Sequence, residues 1–162
     1  MNRRTFLRAT LAGLALMSMP PALLAAVKRK ARMIEKIHHS EDEWRRLLTP
    51  QQFDVLRKEG TERPFSSELN KQYGEGVYHC AGCDLPLFTS ATKFDSGTGW
   101  PSFYAPIENH VETKRDFRLV WPRTEYHCAR CGGHQGHVFD DGPEPTGQRW
   151  CNNGVALKFI PA

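Results

Sequence analysis

The rhythm of apolar residues along the chain changes near Gly76. Downstream they come in short runs with an every-other-residue beat, "GVYHC", "PLFTS", "FRLVWP" and "VALKFI", separated by Gly, Pro, Asn and Asp. A period of two bounded by turn formers predicts short, half-buried strands, and no stretch there sustains a helical period for a further long helix. Upstream the signals are helical and brief. Ser40-Glu41-Asp42-Glu43 matches a capping box and predicts a short helix through Leu47 and Leu48. Thr49-Pro50 supplies an N-cap and a proline at the first helical position, predicting a second helix that carries Phe53 and Leu56 and stops at Gly60. "GTERPFSSELN" is expected to cross the surface as a loop. The pattern predicts one β-rich domain with two small helices in front of it.

The first 26 residues follow a different plan. Arg3-Arg4 stands before Phe6 and Leu7, and "ATLAGLALMSM" is an apolar run too short for a membrane span. This is the pattern of a twin-arginine export signal, with Ala25 and Ala26 as small residues for cleavage. Residues 1–26 are therefore expected to be a signal, 27–39 a charged linker and 40–162 the domain. The expected location is the periplasm, with a membrane anchor only if the signal stays uncleaved. The 162-residue chain has 22 Lys plus Arg against 18 acids. Loss of Arg3, Arg4 and Arg8 with the signal leaves 19 against 18, about +1. A balance so close to neutral offers no clustered basic face for nucleic acid.

Four of the five cysteines form two pairs, Cys80-x-x-Cys83 and Cys128-x-x-Cys131. A two-residue spacer lets both sulfurs of a turn reach one ion, and two such turns suit one tetrahedral Zn²⁺. Gly82, Gly132 and Gly133 ease the backbone there. Two disulfides would also suit an oxidising compartment. A redox-active CxxC is a third reading, but it expects a βαβ context absent here. The pairs sit in a faint repeat, "VYHCAGC" and "EYHCARC", so each reads as a strand running into a knuckle, and the knuckles could face each other. His79 and His127 are expected to be strand residues, because four thiolates already fill the zinc shell.

Cys151, in "GQRWCNNGVALKF", stands outside the pairs. A lone cysteine is either an inert buried residue or a nucleophile. Arg149, two residues before it, could favour the thiolate. His134-x-x-His137 could supply or orient protons near neutral pH. Asp140-Asp141-Gly142-Pro143 reads as a turn, with a carboxylate that could orient one of the histidines.

"GTERPF", "CAGCDLPLF", "FDSGTGWPSF" and "CARCGGHQGHVFDDGPEPTGQRWCNNGVALKF" resemble, in order and spacing, the B-type methionine-R-sulfoxide reductases, over roughly Ser40 to Ile160. The resemblance implies a mainly β fold: two antiparallel sheets in an open barrel-like core, short N-terminal helices and a Cys₄ zinc clip. It implies reduction of methionine-R-sulfoxide, free or in proteins, through a sulfenic acid on Cys151. Cys80, Cys83, Cys128 and Cys131 match the ligands of one structural zinc. Trp100 matches the aromatic that receives the sulfoxide methyl group. His134, His137 and Asn153 match polar residues around the sulfoxide oxygen, with Arg149 and Asp141 as their supports.

The chain departs from part of that family at two positions. Many members carry a resolving cysteine just before the "GW" dipeptide, where this chain has Thr98. Reset is therefore expected to need an external reductant, a small thiol or a thioredoxin-like partner. Gly154 stands where Ser is frequent, with little effect expected. The protein is expected to act as a monomer. The other function class is a zinc-clipped β module that only binds, which would have no use for Cys151, His134, His137 and Asn153 together.

Overall fold

The computed structural model of the chain describes residues 34–117 and 122–162. The expected signal, much of the linker and the centre of "FRLVWP" lie outside the described residues. Both helices form where their caps predict. In α1 (Glu41–Leu47) the Ser40 hydroxyl accepts from the Glu43 amide at 3.3 Å and the Glu43 carboxylate accepts from the Ser40 amide at 2.7 Å. In α2 (Pro50–Lys58) Thr49 and Gln52 make the same reciprocal pair at 3.2 and 3.1 Å. The stop differs in detail from expectation. Glu59 takes the left-handed conformation, with φ of 56°. Gly60 is needed instead for close approach, since a Cβ there would collide with the Asp54 carboxylate.

The rest is antiparallel sheet. Strands β1 (Gly76–Cys80), β2 (Pro86–Thr89) and β9 (Leu157–Pro161) form a three-stranded sheet in the order β2-β1-β9. Six strands form the second sheet: β3 (Lys93–Phe94), β4 (Ser102–Phe103), β5 (Val111–Asp116), β6 (Arg123–Cys128), β7 (His134–Phe139) and β8 (Arg149–Asn152). Their order is β3-β4-β8-β7-β6-β5. Neither sheet closes on itself, so the expected mainly β, two-sheet open core is what forms. Tyr78, Leu87, Phe88, Phe103 and Tyr126 are fully buried in that core. Phe88 stacks on Phe103 at 4.2 Å between centroids, and Trp150 meets Tyr126 edge-on at 5.0 Å. Side chains of this size contribute about 1.5–3 kcal/mol each on burial.

The strand expected in "FRLVWP" falls mainly on residues outside the described ones, between the end of β5 at Asp116 and the start of β6 at Arg123. The strand before it, "VETKRD", carries no apolar beat because β5 is an edge strand with Glu112 to Arg115 exposed. Charge on an edge discourages pairing with other chains. Finally, "GTERPFSSELN" is not wholly a surface loop: Glu68–Lys71 makes a 3₁₀ turn and Glu62 is buried.

The repeat is real in three dimensions. Opposite each Tyr-His step the partner strand carries one extra residue, Leu87 of β2 opposite Tyr78-His79 and Gln135 of β7 opposite Tyr126-His127. Both β1 and β6 then enter the same knuckle. The Asp84 and Gly132 amides each donate to the carbonyl of the first cysteine, Cys80 and Cys128, at 2.9 Å. Both of those residues have positive φ, 58° and 66°. In the first knuckle the left-handed position thus falls to Asp84 rather than Gly82, a role that Asp tolerates.

Candidate active site and metal centre

The two knuckles bring the four paired sulfurs within 4.8 Å of one another. None is in a disulfide, and the short approaches run across the knuckles: Cys80 to Cys131 at 3.7 Å and Cys83 to Cys128 at 3.4 Å. A tetrahedron with Zn–S near 2.3 Å has edges of about 3.8 Å, so the donor set fits Zn²⁺ in geometry and in softness. His79 and His127 stay outside it, as expected. His79 Nδ1 lies 2.8 Å from the Asp84 carbonyl, and His127 Nδ1 lies 3.1 Å from Glu125. A Cys₄ set leaves no open position, so the ion's chemistry here is structural.

Cys151 lies in another part of the six-stranded sheet, on β8, opposite Ser102 of β4 on one side and His137 of β7 on the other. It lines a cavity of about 130 Å³ together with Trp100, Arg123, His137, Phe139 and Asn153. Burial pushes the Cys151 thiol above its ordinary value, while the Arg149 guanidinium and the Thr98 hydroxyl pull it down. Arg149 is fixed by a two-pronged pair with Asp141 at 2.8 and 2.9 Å, and its guanidinium lies 4.3 Å from the Phe139 ring centre.

The histidines illustrate how register makes a site. Residues three apart on a regular strand point to opposite faces. Here His127 pairs with His134 and Tyr126 with Gly136, so Gln135 is an extra residue in β7. That bulge shifts the phase and brings the two imidazoles together, 5.5 Å between centroids. His137 reaches the cavity. His134 does not line it but sits behind His137, buried, with Nε2 unpaired. Each ring has its own carboxylate: His137 Nε2 is 2.8 Å from Asp116, and His134 Nδ1 is 2.7 Å from Glu125. Burial alone would raise Glu125, but hydrogen bonds from His127 and His134 outweigh it and hold the carboxyl at about 2. Burial lowers His137 below the ordinary imidazole value, against the hydrogen bond to Asp116 that raises it.

The carboxylate expected to orient a histidine is therefore not in the "DD" turn. Asp141 is spent on Arg149, while Asp116, itself paired with Arg123 at 2.7 Å, and Glu125 hold the imidazoles. Reading the sequence missed Asp116, Arg123, Glu125 and Glu62. Asp116 and Arg123 are the register partners at the ends of β5 and β6, and opposite charges directly flanking the six residues "FRLVWP" were the available signal. Asn153 lines the cavity as expected. Its neighbour Asn152 is fully buried and accepts from the Tyr126 hydroxyl at 2.6 Å. Gly154 matters more than expected, because a Cβ there would collide with Ser67.

The SelR domain model matches residues 48–161, which span both the knuckles and the Cys151 cavity. This chain belongs to the SelR family. It is 57% identical over 121 residues to the chloroplastic peptide methionine sulfoxide reductase B1 of Arabidopsis thaliana, covering 74% of this chain and 60% of that protein. It is 52% identical over 129 residues to peptide methionine sulfoxide reductase MsrB of Pseudomonas syringae pv. syringae, 79% of this chain and 98% of that one. The MsrB of Methanosarcina mazei is 54% identical over 125 residues, 76% of this chain and 89% of the other. The SelR chain thus spans 60% of the plant protein's length but nearly the whole of the bacterial one.

Proposed function

We propose that this SelR protein reduces the R-sulfoxide of methionine, free or peptide-bound, to methionine, with Cys151 as the nucleophile. The observation that carries the reading is one cavity in which a thiol, an indole, an imidazole and a carboxamide converge, in a chain 52–57% identical to MsrB proteins. Trp100 receives the methyl group, and that choice decides which face of the sulfoxide sulfur meets Cys151. Asn153 donates to the sulfoxide oxygen, and His137, in its protonated form with one N–H on Asp116, donates to it from the other nitrogen; His134 supports His137 from behind. Arg149, held by Asp141, favours the thiolate. The Cys151 thiolate attacks the sulfoxide sulfur and the oxygen takes up one proton; the oxygen then passes to the Cys151 sulfur as its bond to the substrate sulfur and the transient S–S bond break, so methionine leaves reduced by two electrons and Cys151 is left as a sulfenic acid. Hydrogen bonds to the departing oxygen lower that barrier. The zinc held by Cys80, Cys83, Cys128 and Cys131 fixes the knuckles that end β1 and β6. A module that only binds would have no use for a nucleophile so placed.

Reset follows from Thr98. Its hydroxyl, not a thiol, faces Cys151. An external thiol condenses with the sulfenic acid, releasing water and leaving a mixed disulfide, and a second thiol frees Cys151. The Arg3-Arg4 pattern supports export to the periplasm, where a small thiol or a thioredoxin-like protein would serve. The enzyme works as a monomer. With dithiothreitol it should turn over N-acetylmethionine-R-sulfoxide and spare the S form; equal use of both would overturn the reading. One equivalent of substrate without reductant should add one oxygen in mass and a dimedone adduct at Cys151. In Thr98→Cys the same treatment should instead give a 98–151 disulfide and no adduct.

A further inference from the structure

Glu62 lies in the segment between α2 and β1, outside both sheets, yet it is only 6% exposed. Each of its polar groups is engaged on a different part of the cavity wall. Its carboxylate accepts from the Gly154 amide at 2.6 Å and from the Val155 amide at 2.9 Å, in the turn that follows Cys151. Its amide donates to Asn153 Oδ1 at 3.0 Å. Its carbonyl accepts from Trp100 Nε1 at 3.2 Å. One residue therefore touches the turn after the nucleophile, the carboxamide and the indole.

These bonds settle which way the Asn153 amide faces. A backbone N–H can only donate, so the atom it meets on Asn153 is the oxygen. Asn153 Nδ2 donates to the Gln135 carbonyl at 2.9 Å, which can only accept. An amide nitrogen has two hydrogens, so one N–H of Asn153 remains for a further acceptor, and Asn153 lines the cavity. The indole is fixed in the same way: with Nε1–H bound to Glu62, Trp100 offers the cavity only its apolar ring. The carboxylate is the anchor of this arrangement, because its two amide bonds tie the 61–65 segment to the strand end. A Cβ on Gly154 would collide with Ser67, so glycine there lets the segment lie close enough.

We propose that Glu62 is a positioning residue that sets the donor face of Asn153 and the plane of Trp100. The role of those two groups rests on the sulfoxide-reductase reading above, whereas the placement itself does not. The test uses the full zinc-loaded chain and the isosteric Glu62→Gln, which keeps volume and one acceptor but turns the other into a donor. Glu62→Gln should lower kcat on the R-sulfoxide by about tenfold to a hundredfold, the scale of a misplaced catalytic contact, and should raise KM. In an Asn153→Ala background the kcat loss should shrink to about twofold or less, while the KM rise persists through Trp100, because groups acting through one another are not additive. An equal kcat loss in both backgrounds would show that Glu62 acts on the fold alone. The indole N–H resonance of Trp100 supplies a readout free of activity. It should move upfield and exchange faster with solvent in Glu62→Gln at unchanged zinc content, and an unmoved resonance overturns the proposal. An inactive wild-type protein would sink the reductase reading, yet the indole signal would still decide the placement.

Discussion

The four paired cysteines and the lone one occupy opposite extremes of how a chain builds a site. Each knuckle is made by six consecutive residues, closed by one left-handed residue and by amide-to-carbonyl bonds within the turn, and the second knuckle copies the first. Only the meeting of the two knuckles is long-range. The Cys151 cavity has no such local unit. Its walls come from the 61–65 segment, the Gly99-Trp100 turn, the β5–β6 hairpin, a bulged β7 and β8. The two sites are therefore vulnerable in different places. The knuckles depend on an ion that pulls local turns together, and the cavity depends on registers fixed throughout the sheet.

Removing a ligand of the cluster should therefore have the largest effect of any single change, and it should act on the whole fold. β1 and β6 both end in the cluster, and the sulfurs there are buried or half-buried with like partners. Apparent binding free energies at Cys₄ and related zinc sites are of order 10 kcal/mol, comparable with the stability of a domain this size. Cys131→Ser, or strong chelation of the wild type, should abolish cooperative thermal unfolding and zinc content together. Elemental analysis finding no metal in a folded wild-type protein, with two disulfides by mass, would overturn the zinc assignment.

Cys151→Ser should do the converse. Loss of the nucleophile should cost at least about 10³-fold in turnover, as removal of a covalent catalyst does elsewhere. Zinc content should remain, and the melting temperature should change by only a few degrees, since the substitution leaves β8 paired on both sides. Retained activity above that level would remove Cys151 from the chemistry; a melting loss as large as that of Cys131→Ser would show that the two regions are one cooperative structure.

The same contrast explains what could be read from the sequence. Caps, knuckles and half-buried strands are written in three to six neighbouring residues, so α1, α2, β1, β2 and the cysteine cluster were legible from spacing alone. The edge strand β5 was not, because neither of its faces carries an apolar beat. The cavity was legible only as a set of residues, through resemblance; its geometry was not. His134 and His137 share a face because Gln135 is an extra residue in β7, and no local pattern announces a bulge. The carboxylates of Asp116, Glu125 and Glu62 reach their partners across 21, 9 and 92 positions. Their charges look like ordinary surface charges until register buries them. A carboxylate of the Asp140-Asp141 turn was the expected partner for one of the histidines, but Asp141 pairs with Arg149, while Asp116 and Glu125 hold the imidazoles.

The smallest expected effect concerns the electrostatics of Cys151 alone. Arg149 is two residues before Cys151 on β8, so both side chains leave the strand on the same face. Its guanidinium is held by Asp141 and lies over Phe139. Burial raises the Cys151 thiol, and the Arg149 charge is the strongest influence in the other direction. Arg149→Met keeps much of the packing volume and removes the charge. The thiol should then ionise at still higher pH, so less thiolate is present at pH 8. Because the thiolate is the reacting form, iodoacetamide should label Cys151 about three- to tenfold more slowly at that pH, the effect of a shift of up to about one pH unit. The inflection of labelling rate against pH should move upward, with zinc content and melting temperature close to wild type. Asp141→Asn tests the sign independently. It removes a negative charge that raises the Cys151 thiol while leaving the arginine charge in place, so its inflection should not move upward by as much as in Arg149→Met. If Arg149→Met leaves the inflection where it was, the guanidinium serves only as a lid on Phe139. The thiol would then owe its ionisation to the Thr98 hydroxyl, and Thr98→Val should slow labelling in its place.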